Sequence, residues 1–216
     1  MKSQTKSENW NQFWRHNADS RFTRKSWSKI RIMTLLKPEL RPGMKVLDAG
    51  CGSGFFSRYF LSEGCEVYTL DYSEDALEVA RKQTSGQSKA YLKEDLLRPD
   101  FASRYPRAFD FIFTDGLLEH FSGEDQKTMM RHFRQVKSPA GLIATFVPNR
   151  YSWWEVVRPL VMPGIHEEPF TLGQLEALHE GMTIIKKGGL NVLPLRFSPD
   201  RLFGSRWGML LYCFAR

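Results

Sequence analysis

Val46-Leu47-Asp48-Ala49-Gly50-Cys51-Gly52-Ser53-Gly54-Phe55-Phe56 is the stretch that decides the fold of this chain. Val46 and Leu47 are strand formers with no polar alternation around them, as in a strand buried on both faces of a parallel sheet. Gly50, Gly52 and Gly54 allow backbone angles and a closeness of approach that side chains would block. Phe55, Phe56, Tyr59, Phe60 and Leu61 follow at helical spacing, so the turn opens into an amphipathic helix. This succession leaves backbone N–H groups at a helix N-terminus beside any ligand bound there.

The glycine spacing narrows the ligand. A dinucleotide turn reads G-x-G-x-x-G, and here the third glycine position falls on Phe55. No lysine follows as in a P-loop, which argues against a nucleoside triphosphate. The segment Val46 to Gly54 closely resembles the first motif of the class I S-adenosylmethionine-dependent methyltransferases. The resemblance implies S-adenosyl-L-methionine as cofactor, with Asp48, Gly50, Cys51, Gly52 and Gly54 beneath its methionine and ribose portion.

Outside this motif, composition sets bounds. The chain has 216 residues, 42% hydrophobic and 25% charged, as in a globular protein with a sizeable core. Cys51, Cys65 and Cys213 have no paired or metal-like spacing and read as reduced thiols. Met1 to Gln4 lack the apolar core of a signal peptide, and no apolar run reaches membrane-spanning length. A cytoplasmic location is therefore expected. The net charge is +7, and residues 1–45 carry 11 Lys or Arg against Glu8, Asp19 and Glu39. The basic N-terminal extension is either a solvated helix face or a means of contacting an anionic surface.

Trp10, Phe13 and Trp14 occupy i, i+3 and i+4, and residues 23–37 form a second helical pattern; Pro38, Pro42 and Gly43 end it. Residues 1–43 are read as a helical extension that folds over the site, and 44–216 as the cofactor-binding domain. Strands are expected at Val46, Cys65–Leu70, Ala90–Lys93, Ala108–Thr114, Gly141–Val147, Thr183–Lys187 and Trp207–Phe214. Helices are expected from Ser73, over Gly123–Val136 with a break at Ser138-Pro139, and over Thr171–Glu180. Alternating elements give an α/β, Rossmann-like, doubly wound, mostly parallel seven-stranded sheet with helices on both faces.

Ligands of such sheets sit beyond the C-terminal strand ends. Asp48, Asp71, Asp95 and Asp115 fall at four of them, which suits a ligand with a cationic centre and several donors. By the resemblance, Asp71 receives the ribose hydroxyls with Tyr72 beside it. Asp95 and Leu96 meet the adenine.

Residues 148–172 interrupt the alternation and read as a lid. Adjacent side chains point apart, so at most one of Trp153 and Trp154 faces the site; both packing against the N-terminal helices is the alternative. His166, Phe170-Thr171 and Gly181-Met182 resemble the small-molecule group that includes ubiquinone-biosynthesis O-methyltransferases, with Met182 where that group has Phe. Trp153, Trp154 and His166 are the candidate contacts to a small, partly apolar acceptor.

Glu119-His120 follows the fourth strand, where an acceptor would approach the methyl group. His120 is the candidate general base with Glu119 as its neighbour. Some relatives of that group bind a divalent metal through E-x-x-E-H here. Gly116 replaces the first Glu, so no metal is expected. An RNA or DNA methyltransferase is the alternative favoured by the basic extension. The site reads Thr114-Asp115-Gly116-Leu117, not the N/D-P-P-Y/F of base amino-methylating enzymes, so nucleic acid is disfavoured. A non-catalytic cofactor-binding module is the remaining alternative, and the acceptor atom and oligomeric state stay open.

Overall fold

The computed structural model describes residues 7–17, 23–161 and 167–216. Seven strands form one sheet: β1 (Lys45–Ala49), β2 (Glu66–Asp71), β3 (Ala90–Lys93), β4 (Phe109–Asp115), β5 (Lys137–Pro148), β6 (Ile184–Leu190) and β7 (Leu210–Ala215). Their order is β3-β2-β1-β4-β5-β7-β6, and only β7 runs antiparallel to its neighbours. The helices are α1 (Ser7–Asn17), α2 (Trp27–Leu36), α3 (Phe55–Ser62), α4 (Glu74–Gln83), α5 (Phe101–Arg104), α6 (Gly123–Val136), α7 (Trp154–Val161), α8 (Leu172–Leu178) and α9 (Asp200–Trp207). This is the Rossmann-like architecture expected from the alternation.

The period-two direction of strand side chains divides the core. Leu47, Ile112 and Ile143 point to one face with Met129, Met130 and Phe133 of α6. Val46, Phe111, Phe113 and Ala144 point to the other with Ile32 and Leu36 of α2 and Phe60 of α3. The polar starts of the helices are capped. Ser73 accepts from the Ala76 amide, Ser122 from Asp125, and Thr171 forms a capping box with Gln174.

Four expectations are corrected. No break separates α6 from β5: Lys137 already pairs with Phe109, and a register shift before Leu142 accommodates Ser138-Pro139. Strand β6 continues to Leu190, because Gly188-Gly189 stay extended and let the backbone of α9 approach at Gly204. Trp207 ends α9, and the last strand begins at Leu210. The insert contains a helix, α7, that the proline-rich sequence concealed. A bridge between Asn149 and Phe170 closes the base of that insert.

Candidate active site

The C-terminal strand ends open into a cavity of about 1090 Å³. Its floor is the glycine turn between β1 and α3. Gly50, Gly52 and Gly54 all have positive φ, of 74°, 49° and 71°. They serve different purposes. Gly50, Cys51, Gly52 and Ser53 line the cavity, whereas Gly54 does not. A Cβ on Gly54 would lie 2.6 Å from the Ala80 Cα, so that glycine lets α3 pack against α4. Its role is thus set by packing whether or not a ligand is bound.

Four carboxylates surround the floor: Asp48, Asp71, Asp95 and Asp115 all line the cavity. Asp71 Oδ2 accepts from the Gly52 amide at 3.0 Å, and its Oδ1 from the Ser73 amide at 2.9 Å. The Tyr72 amide adds a third backbone hydrogen bond to this carboxylate. Burial pushes its pKa up, against those backbone hydrogen bonds. Asp48 accepts from the Ser57 hydroxyl at 2.6 Å. Burial raises Asp48 to about 7, opposed by Ser57 and reinforced by Asp115 and Asp71. Burial raises Asp115 to about 6, opposed by Lys29. Tyr72 and Leu96 also line the wall.

The N-terminal helices cover this floor. A Cβ on Gly52 would meet the Trp14 ring at 2.5 Å, so the indole lies directly on the turn. Helix α1 is held by Arg15, whose Nε lies 3.0 Å from Asp75 of α4, and by Ser73, which donates to Asn11 at 2.6 Å. Lys29 of α2 enters the cavity wall beside Phe55, with its ammonium 4.1 Å from the ring centroid. Burial lowers its pKa to about 8, against the pull of Asp115.

Glu119 and His120 sit on a 3-10 turn, Leu118–His120, just beyond β4. Both are buried and line the cavity. The His120 ring stands edge-on to Trp10 at 4.8 Å. The returning insert docks here, with the Glu168 amide donating to Glu119 O at 2.7 Å. That brings Glu167 in, and one ligand atom each from Glu119, His120 and Glu167 lies within 4.8 Å of the others. Glu119 Oε2 makes no hydrogen bond among the described residues. Burial holds the Glu119 carboxyl well above the usual range, and Glu167 adds to it. Burial raises Glu167 to about 7, opposed by Arg158.

Of the tryptophan pair, Trp154 lines the cavity. Trp153 is not among its lining residues and donates through Nε1 to Asn191 O at 3.4 Å. Trp153 thus anchors the insert, and Trp154 is the one of the pair that faces the cavity. His166 lies outside the described residues. Sequence reasoning missed Lys29 and the exact place of Trp14, and it offered Glu167, with His166, only as a possible metal ligand of the insert. Trp14 was visible as part of an apolar helix face, but nothing local says which surface that face covers. Lys29 looks like any lysine on a basic helix, and Glu167 lies 48 positions from Glu119.

Comparisons agree with this geometry. Residues 46–141 match the family model described as a methyltransferase domain. The ubiquinone biosynthesis O-methyltransferase of Photorhabdus laumondii is 30% identical over 135 residues, covering 58% of this chain and 55% of that protein. The Thiobacillus denitrificans protein of the same description is 32% identical over 108 residues, covering 50% of this chain and 46% of that one. The chain thus spans about half the length of these curated relatives. An S-adenosylmethionine-dependent methyltransferase from Anabaena variabilis superposes with a TM-score of 0.73 at 20% identity, covering 99% of this chain and 98% of that one. The N-methyltransferase NodS from Bradyrhizobium japonicum, in complex with S-adenosyl-L-homocysteine, gives 0.68 at 17%, covering 96% and 98%. Residues 46–141 are therefore similar to a methyltransferase domain, and the chain has the fold of solved S-adenosylmethionine-dependent methyltransferases and a partial likeness to the ubiquinone biosynthesis O-methyltransferases.

Proposed function

We propose that this protein transfers the methyl group of S-adenosylmethionine to a small or medium-sized, partly apolar acceptor. The observation that carries the reading is the cluster of carboxylates on the cavity floor: Asp71, fixed by the Gly52 and Ser73 amides, with buried Asp48 and half-buried Asp115 nearby. Buried carboxylates with raised pKa values favour a cationic, donor-rich ligand. When bound, S-adenosylmethionine supplies an electrophilic sulfonium methyl group.

The chain's own residues position and deprotonate. Asp71 and the Gly50–Ser53 turn hold the ribose side of the cofactor, and Lys29 is a cation of the cavity wall that can face its carboxylate. Trp10, Trp14 and Trp154 exclude water above the floor, which strengthens every charge interaction within. His120 takes the acceptor proton as the acceptor attacks.

The grouping of Glu119, His120 and Glu167 favours a second reading of the same step. A divalent cation held by these three side chains would supply Lewis acidity to an acceptor hydroxyl, and Glu167 would replace the ligand lost at Gly116. Calorimetry with S-adenosylmethionine, then transfer of labelled methyl to fractionated extracts, tests the proposal. No binding of the cofactor would overturn it.

A further inference from the structure

Helix α7 is inside out. Its polar side chains Glu155 and Arg158 turn inward, where Arg158 lies 3.5 Å from Glu155 and 3.4 Å from Glu167. Its aliphatic residues Val156 and Leu160 turn outward, 80% and 86% exposed. A helix in an aqueous protein places its apolar stripe on the core. This one has no core partner for that stripe among the described residues.

A second segment repeats the pattern. Between β6 and β7, Phe197 is 80% and Leu202 79% exposed, with Leu193, Leu195, Phe203 and Trp207 also on the surface. The two segments are joined. Trp153 donates to Asn191 O, and Asn149 donates to Arg206 O at 3.1 Å and Gly208 O at 2.9 Å. Arg31 of α2 holds the second segment from behind, through Leu195 O at 2.5 Å and through Asn191.

The charge on this surface has one sign. Arg150, Arg196, Arg201 and Arg206 are exposed. The acids of the two segments are spent elsewhere: Glu155 on Arg158, and Asp200 on Arg31 at 3.2 Å. Exposed aliphatic and aromatic side chains interleaved with arginine match an interface between acyl chains and anionic headgroups. A second copy of the chain would bring the four arginines against their own kind, which like-charge repulsion opposes. The cavity opens beside this surface, since Trp27 and Pro194 are both cavity walls and solvent-exposed.

We propose that residues 150–161 and 191–207 form a surface that docks on an anionic lipid bilayer and turns the cavity mouth toward it. The docking stands on the surface itself. That a partly apolar acceptor enters the cavity from the bilayer rests on the methyl-transfer reading above.

The test is co-sedimentation of the full chain with phosphatidylcholine vesicles and with vesicles containing about one-third phosphatidylglycerol, at low and high salt. The expected result is binding to the anionic vesicles, weakened by salt. Leu160→Asp, and separately Phe197→Asp with Leu202→Asp, should weaken it at least tenfold. These positions are exposed, so thermal melts and S-adenosylmethionine binding should match the wild type. Failure to sediment with either vesicle, or equal sedimentation of the variants, overturns the proposal. So does a dimer in lipid-free ultracentrifugation that Leu160→Asp dissociates, which would assign the face to a second copy. Vesicle binding without S-adenosylmethionine binding would keep the lipid surface and remove the methyl-transfer reading.

Discussion

The amide of Gly52 donates to Asp71 Oδ2 at 3.0 Å, joining the glycine turn to the end of the neighbouring strand. One carboxylate thus shapes the turn and faces the ligand. Asp71→Ala should weaken S-adenosylmethionine binding by a few kcal/mol, on the order of lost charge-assisted hydrogen bonds. Calorimetry measures it. Wild-type binding that responds to NAD and not to S-adenosylmethionine would sink the assignment.

His120 and its two acidic neighbours separate base catalysis from cation assistance. His120→Ala should lower kcat by roughly 10²-fold or more with cofactor affinity nearly unchanged. If a cation does the work, chelation should abolish turnover, and manganese should restore it in the wild type but not in Glu167→Gln. Wild-type turnover by His120→Ala would leave this histidine a packing partner of Trp10.

The buried acids predict a pH dependence. Asp48 is raised to about 7 and Asp115 to about 6, so the ligand-free fold prefers both protonated. Their contribution to stability is complete below the unfolded value near 4 and is lost as pH rises through 6 to 7. Lys29, lowered to about 8, has the opposite sense: its contribution is complete above its unfolded value of about 10.4 and is lost as pH falls through 8. Urea melts of the ligand-free protein should show stability declining from pH 5 to 7. Asp48→Asn should flatten the decline, and a melt unchanged by that substitution would contradict the assignment. The cationic cofactor should bind more tightly at pH 7.5 than at pH 5.5.

Two glycines of one turn should respond differently to alanine. Gly54→Ala drives a Cβ into the Ala80 backbone and should destabilise the whole domain, by about 1–3 kcal/mol or more. Gly52→Ala meets the Trp14 ring, which can move with α1. It should speed hydrogen exchange across residues 10–17 and weaken cofactor binding with a smaller change in melting temperature. Identical melts for the two would refute the distinction.

The tryptophans of the insert should likewise separate. Trp154→Ala should raise KM for the acceptor, as loss of a cavity wall, while cofactor affinity holds. Trp153→Phe should loosen the tie to Asn191 and affect stability more than KM. Matching acceptor kinetics for Trp154→Ala and wild type would remove the insert from the acceptor site.

The sequence by itself determined the sheet and its ligand edge. Val46-Leu47 and the run after Ala108 can only be buried strands. The glycine turn can only join strand to helix, and an acid at each of four strand ends is a pattern of local spacing. Local patterns are set by backbone geometry within a few residues, so they can be read in one dimension. The tertiary structure decided what the long contacts decide. It set Trp14 on Gly52 and Glu167 beside Glu119, pairs 38 and 48 positions apart, and it brought Lys29 into the cavity wall. It also turned the aliphatic side of α7 outward, because the half-buried Arg158 between Glu155 and Glu167 holds the polar side in. Amphipathic spacing gives a helix its two faces, but only packing chooses which one meets water.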